Sequence, residues 1–223
     1  MWVWTMRLSM ALVLAALAAS NGGTAPPPLP GHRAVIPLAS FTVFKEDSGP
    51  VNYYSVGEDG ETPILRGVYR PGLGNVVLMA RVPEAARQAV RMVSWRWRAH
   101  AFPRNANDCG PGESDSAASV FLAFKAGLKL MVIKYVWATV GTVGQSCVSN
   151  RGWFFDRDTT LVQVGGPPDV WTSYTMDPRA EFVKHYGGKL QDVPDFVAIG
   201  VMTDGDNSQS PSAADYADFV VEW

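Results

Sequence analysis

The run that most constrains this chain is Val93-Ser-Trp-Arg-Trp-Arg-Ala-His100. Val93, Trp95, Trp97 and Ala99 alternate strictly with Ser94, Arg96, Arg98 and His100. Successive side chains of a strand point to opposite faces, so one aromatic row meets a core and one basic row faces away from it. A helix would scatter both sets around its circumference. The run predicts a β-strand, together with a second layer broad enough to cover two indoles.

Shorter runs of the same kind recur between turn formers. Residues 52–56 precede Gly57-Glu-Asp-Gly60, residues 63–69 precede Pro71-Gly-Leu-Gly74, and residues 76–82 follow. Residues 117–124 and 128–137 are almost continuously apolar, which predicts central strands covered on both faces. Residues 159–164 and 171–175 extend the series. Residues 196–202 and 215–223 flank the polar loop Thr203-Asp-Gly-Asp-Asn207, which predicts a closing β-hairpin with an acidic loop at the rim. One helix signal interrupts the pattern: Asp177 as cap, Pro178 at the first position and Gly187-Gly188 as the stop. A shorter helical turn is expected within 83–91. The sum is an antiparallel β-sandwich of jelly-roll type with one short helix.

Arg7 precedes the apolar stretch 10–18 and small residues follow, which reads as a secretory leader over 1–20, cut after Ala18 or Ser20. The stretch is shorter than the roughly 20 residues a membrane span needs, so no stable span is expected once it is removed. Residues 21–40, with Ala25-Pro-Pro-Pro-Leu-Pro30, read as a Pro/Gly-rich tether, and 41–223 as a single domain. The expected location is secreted or periplasmic. There the two cysteines, Cys109 and Cys147, are expected to form a disulfide, with two separate thiols as the alternative. The net charge of −2 gives no electrostatic reason to bind nucleic acid, and nothing in the chain indicates an oligomeric state.

Two constellations carry candidate chemistry. Asp204, Asp206 and Asp218 are oxygen donors suited to a structural calcium ion, with Asn207 and Asp215 nearby. An EF-hand is excluded, because Gln209 stands where that loop needs glycine and no helices flank it. Against the calcium reading, Asp-Gly and Asp-Asn are turn formers whose side chains cap local backbone donors. The second set is Arg96, Arg98, Asp115 and Trp137, read as ligand contacts for a glycan, with guanidinium forks for carboxylates and an indole for a sugar face. The competing reading pairs the arginines with Asp115 or Glu113 across strands. Trp153-Phe-Phe155 is a further candidate stacking platform. The pairs Glu113/Asp115, Asp156/Asp158 and Asp204/Asp206 have the i, i+2 spacing that shares a strand face, as acid and base in glycoside cleavage would. No nucleophile motif, zinc triad or phosphate loop accompanies them.

Tyr54-Ser-Val56, Leu65-Arg-Gly67, the Trp-Arg-Trp-Arg strand, Asp115-Ser-Ala-Ala-Ser-Val-Phe-Leu-Ala-Phe124, Tyr135-Val-Trp137 and Ile199-Gly-Val-Met-Thr-Asp-Gly-Asp-Asn207 together resemble the uncharacterised bacterial family called domain of unknown function 3047. The resemblance covers about 41–223. It implies a secreted or periplasmic β-sandwich, similar in outline to carbohydrate-binding and lectin-like jelly rolls, and no established activity. The chain departs from the family pattern at Ser119, where an arginine is usual, and in a longer loop over 105–113. The expected function is non-catalytic binding of a glycan or cell-envelope component. The alternatives are a polysaccharide-cleaving enzyme on the same scaffold and a protein-binding envelope scaffold.

Overall fold

The computed structural model describes residues 31–46, 53–110, 114–152 and 155–223. The leader, the first part of the tether, Glu113, Trp153 and Phe154 lie outside them. The described strands are β1 (Arg33–Val35), β2 (Thr42–Glu46), β3 (Tyr54–Asp59), β4 (Thr62–Tyr69), β5 (Val76–Arg81), β6 (Met92–Ala101), β7 (Ala118–Ala126), β8 (Lys129–Ala138), β9 (Ser146–Arg151), β10 (Phe155–Val164), β11 (Thr172–Met176), β12 (Asp195–Met202) and β13 (Ser212–Glu222). They form two sheets. The first runs β11-β6-β13-β4-β3, with β1 also paired to β13; the second runs β2-β5-β12-β7-β8-β10-β9. All pairs are antiparallel except β8 and β10, which are parallel. The fold is therefore a mainly β sandwich, with one mixed sheet rather than two purely antiparallel ones.

Alternation in β6 builds the core between the sheets. Trp95 and Trp97 are almost fully buried, and Trp97 meets Trp137 of β8 with ring centroids 5.9 Å apart. Tyr216 and Phe219 of β13 join the same inner face, although they are an odd number of residues apart. A bulge reconciles them: β13 slips against β6 between Ala217 and Val220, with Asp218 at φ 53. The nine-residue helix α1 (Pro178–Tyr186) starts on Asp177, whose carboxylate accepts from the backbone N–H of Arg179 and Ala180. Its Phe182 reaches into the core against Phe124, at 4.8 Å. Within 83–91 only the turn Glu84–Ala86 is helical.

Two expectations are corrected. Residues 31–40 are not tether: β1 pairs with the end of β13, and Ile36 is buried. Nor is the C-terminal pair a hairpin, because β12 belongs to the second sheet and β13 to the first. The loop between them crosses from one layer to the other, since each strand finds its apolar partners in a different sheet. Among the described residues, no helix is long and apolar enough to cross a membrane.

Candidate functional site

The outer face of the first sheet shows where the basic row goes. Asp215 of β13 stands directly opposite Arg66 on one side and Arg98 on the other. Arg66 donates to it from Nε at 2.7 Å, Arg98 from Nε at 2.9 Å, and His100 Nε2 lies at 2.7 Å. Burial alone would raise the carboxyl, but Arg66, His100 and Arg98 hold it down at about 2. Arg98 also meets Asp59 at 3.1 Å, Arg96 pairs with Asp218, and His100 Nδ1 contacts Asp169. Trp171 lies under both guanidinium groups, 5.0 Å from Arg96 and 4.6 Å from Arg98. Arg96, Arg98 and His100 thus each meet a carboxylate.

The predicted ligand set is therefore not one surface. Arg96 and Arg98 are engaged on the first sheet, through Asp218, Asp215 and Asp59 rather than Asp115, and Glu113 lies outside the described residues. Trp137 is buried between the sheets, facing Trp97, because alternation in β8 turns it inward. Asp115 is also fully buried, under the loop between β12 and β13. Its carboxylate accepts from the backbone N–H of Asn207 and Ser208, at 3.1 and 2.7 Å.

That loop gathers a different acidic group. Acceptor oxygens of Asp115, Asp204 and Asp206 lie within 4.8 Å of one another, a set of hard donors that suits a cation such as calcium. Asp218, predicted as a third ligand, is not among them: it sits in the β13 bulge, paired with Arg96. The Asp204 carboxyl is pushed up to about 8, by burial first and by the charge of Asp206 second. Gly205 lets the loop close, since a Cβ there would lie 2.1 Å from the Ser210 carbonyl oxygen.

Beside this loop, the outer face of the second sheet carries a trench that sequence reading missed. Strand register places Met79, Gly200, Phe121 and Lys134 in one row across β5, β12, β7 and β8. The next row is Arg81, Ala198, Ala123, Val132 and Arg157. In both rows a small residue occupies β12, and Ala123 does so in β7, so the floor drops between bulkier flanks. A Cβ on Gly200 would meet the Met79 sulfur at 2.5 Å and the Phe121 Cβ at 3.2 Å. The resulting depressions, of about 450 and 600 Å3, share Phe44, Met79 and Leu130 as walls and form one channel.

At the end of the channel nearer the crossover loop, the lining is polar: Lys134, Arg157, Asp204 and Asn207. Lys134 is buried, pairs with the equally buried Asp108 at 2.7 Å, and lies 5.8 Å from the centre of the Phe121 ring. Asp108 is delivered by the loop after β6, which the Cys109–Cys147 disulfide ties to β9. Ser119 is buried, with its hydroxyl 2.6 Å from that of Ser116. Of the predicted stacking platform, Phe155 lines the channel, while Trp153 and Phe154 fall outside the described residues. Of the i, i+2 carboxylates, Asp156 and Asp158 do not line the channel, Asp204 does so without Asp206, and Glu113 lies outside the described residues. Asp204 is its one acidic lining residue among the described residues. The one sequence signal for the trench was glycine inside the apolar run 196–202, since glycine in a strand marks close approach.

Residues 43–220 match the family described as "Protein of unknown function (DUF3047)", and the chain belongs to it. No curated protein matches the sequence. Among solved structures, the chain is similar to the family 11 carbohydrate-binding module from Clostridium thermocellum, with 9% identity, 86% of this chain and 95% of that one covered, and a TM-score of 0.45. It is similar to endoglucanase Cel12A from Rhodothermus marinus, with 11% identity, 86% and 96% covered, and a TM-score of 0.47. A third is the family 12 xyloglucanase from Bacillus licheniformis, with 6% identity, 86% and 97% covered, and a TM-score of 0.42.

Proposed function

We propose that this member of the family binds a glycan segment of the cell envelope, without cleaving it, along the trench on the second sheet. The observation that carries the reading is the channel floored by Gly200, Ala198 and Ala123. Phe44 and Phe155 offer apolar surface to the C–H faces of sugars, and Asn75, Arg157 and Asn207 offer donors and acceptors to hydroxyls. Glycoside cleavage requires two carboxyl groups flanking the scissile bond. Among the described residues the lining supplies one, and its neighbours Asp115 and Asp206 stand on the same side, held by the same loop. The protein acts outside the cytoplasm in this reading, which suits the disulfide and the leader-like N-terminus.

The test is a glycan and polysaccharide binding screen with the protein and with Ala198→Gln. That side chain projects into the trench, away from the core, and fills it. Binding that disappears in the variant, with no new reducing or unsaturated ends in the ligand, supports the proposal. Binding that survives a filled trench refutes it, and new chain ends would replace binding with cleavage.

A further inference from the structure

The far end of the trench is cationic. Arg81 stands opposite Ala198, Lys125 opposite Asp195, and the Arg87 carbonyl accepts from Phe196 N–H at 3.0 Å. All three converge on the start of β12, where Val197 is the extra residue of a bulge. Arg81 and Lys125 are exposed and Arg87 is half-buried, beside Ala123 and Val197 in the channel lining. Among the described residues none of the three has an ion pair. Each arginine of the row on the first sheet, by contrast, holds a carboxylate. Asp195, the acid nearest in register, accepts from Gln88 Nε2 at 2.9 Å, so three cations share the recess with one anion.

We infer that Arg81, Arg87 and Lys125 form a subsite for an anionic substituent, and that the ligand of the trench is an acidic glycan carrying carboxylate or phosphate groups. This rests on the glycan reading of the trench and adds the class of sugar. Guanidinium forks take either oxyanion in bidentate fashion; among the described residues these cations have no carboxylate of their own, and Arg87 commits its Nε to the Val82 carbonyl, at 3.4 Å. The recess favours a chain over a bilayer: a flat anionic surface meets protruding cations, whereas Arg87 lies down in the channel wall.

The experiment compares matched ligands by affinity electrophoresis at low and high salt. Uronate-bearing polysaccharides run beside their carboxyl-reduced forms, and phosphate-bearing ones beside their dephosphorylated forms. Each acidic member is expected to bind at least about tenfold more tightly than its neutral partner, and the two arms tell carboxylate from phosphate. Arg81→Gln with Lys125→Gln, both at exposed sites, should remove at least about fivefold of that preference, and adding Arg87→Gln should abolish it. Arg33→Gln on the first sheet should leave it intact. Equal binding of acidic and neutral members, blocked by Ala198→Gln, overturns this inference and leaves the glycan reading standing. Absence of all glycan binding overturns both, and co-sedimentation with phosphatidylglycerol vesicles through Arg81 and Lys125 would then assign the cations to a membrane surface.

Discussion

Asp204→Asn should make the protein less sensitive to rising pH, by an amount the structure sets. The carboxyl stands at about 8 in the fold against an ordinary 3.8, raised by burial and then by Asp206. The unfolded chain releases this proton near pH 4, whereas the folded chain keeps it to about pH 8. Across that window the native state holds one more proton than the unfolded state, so stability falls as pH rises, by about 1.4 kcal/mol per pH unit. Between about pH 5 and about pH 8 the wild type should lose up to about 4 kcal/mol relative to the variant. Relaxation of the loop around the ionised group lowers that ceiling. The substituted amide retains an oxygen in the place of the Asp204 Oδ1 that accepts from Gly205 N–H at 2.8 Å and Asp206 N–H at 3.2 Å, so the loop keeps its shape. The assay is urea unfolding of both proteins at the two pH values, with the disulfide intact. Taking the difference between proteins cancels groups they share, including Asp215 and Glu181, which are both held at about 2. A gap that does not change with pH refutes the argument. Excess calcium gives a second reading: a cation held by Asp115, Asp204 and Asp206 stabilises the ionised form, so the wild type should recover at pH 8 and the variant should not.

Asp215→Asn should cost about 3 kcal/mol at neutral pH, because it leaves Arg98 with a weakened partner in a largely dry setting. In the wild type that stabilisation is present above about pH 4 and fades as pH falls through about 2, and a loss under about 1 kcal/mol in urea unfolding would contradict it. Replacing Cys109 and Cys147 together by alanine should lower stability by about 4 kcal/mol, the chain-entropy value for a separation of 38 residues, and an unchanged urea midpoint would exclude that. Gly205→Ala, with its Cβ forced onto the Ser210 carbonyl, should cost about 1–3 kcal/mol and abolish any calcium-dependent rise in the thermal midpoint. A calcium response retained in that variant would move the ion elsewhere.

The fold was legible wherever one face of a strand meets the core. Trp95 and Trp97 turn inward and Arg96 and Arg98 outward, as period-two alternation requires. The helix was legible because Asp177, Pro178 and Gly187 are local signals acting within a few residues. Sheet membership was not. Residues 196–202 and 215–223 look like hairpin arms, yet strand pairing is decided by non-local partners: β12 lies between β5 and β7, and β13 between β4 and β6. β1 escaped notice because three residues in a Pro-rich context carry no periodicity. The parallel pairing of β8 with β10 is equally non-local.

The acidic site was half legible for the same reason. Asp204 and Asp206 share a loop and declare themselves, but Asp115 joins them from 89 residues earlier, only because the crossover passes over the start of β7. Asp218 is closer in sequence and was the natural guess. A bulge at φ 53 turns it to the outer face of the first sheet, onto Arg96. The trench was hidden more deeply. Gly200, Ala198 and Ala123 read individually as unremarkable members of apolar runs, and their shared meaning exists only once β12 and β7 are in register. Their smallness has no use in the core, because Ile199, Val201, Leu122 and Phe124 from the same strands fill that side. Small residues on the outer face of central strands lower the floor there, and they do so along a line that ends in Arg81, Arg87 and Lys125, without carboxylate partners among the described residues, and in the mixed polar group of Lys134, Arg157, Asp204 and Asn207 at the other end. A substitution that raises this floor should therefore alter binding while leaving the sandwich intact, and that separation distinguishes a functional trench from a mere gap in packing.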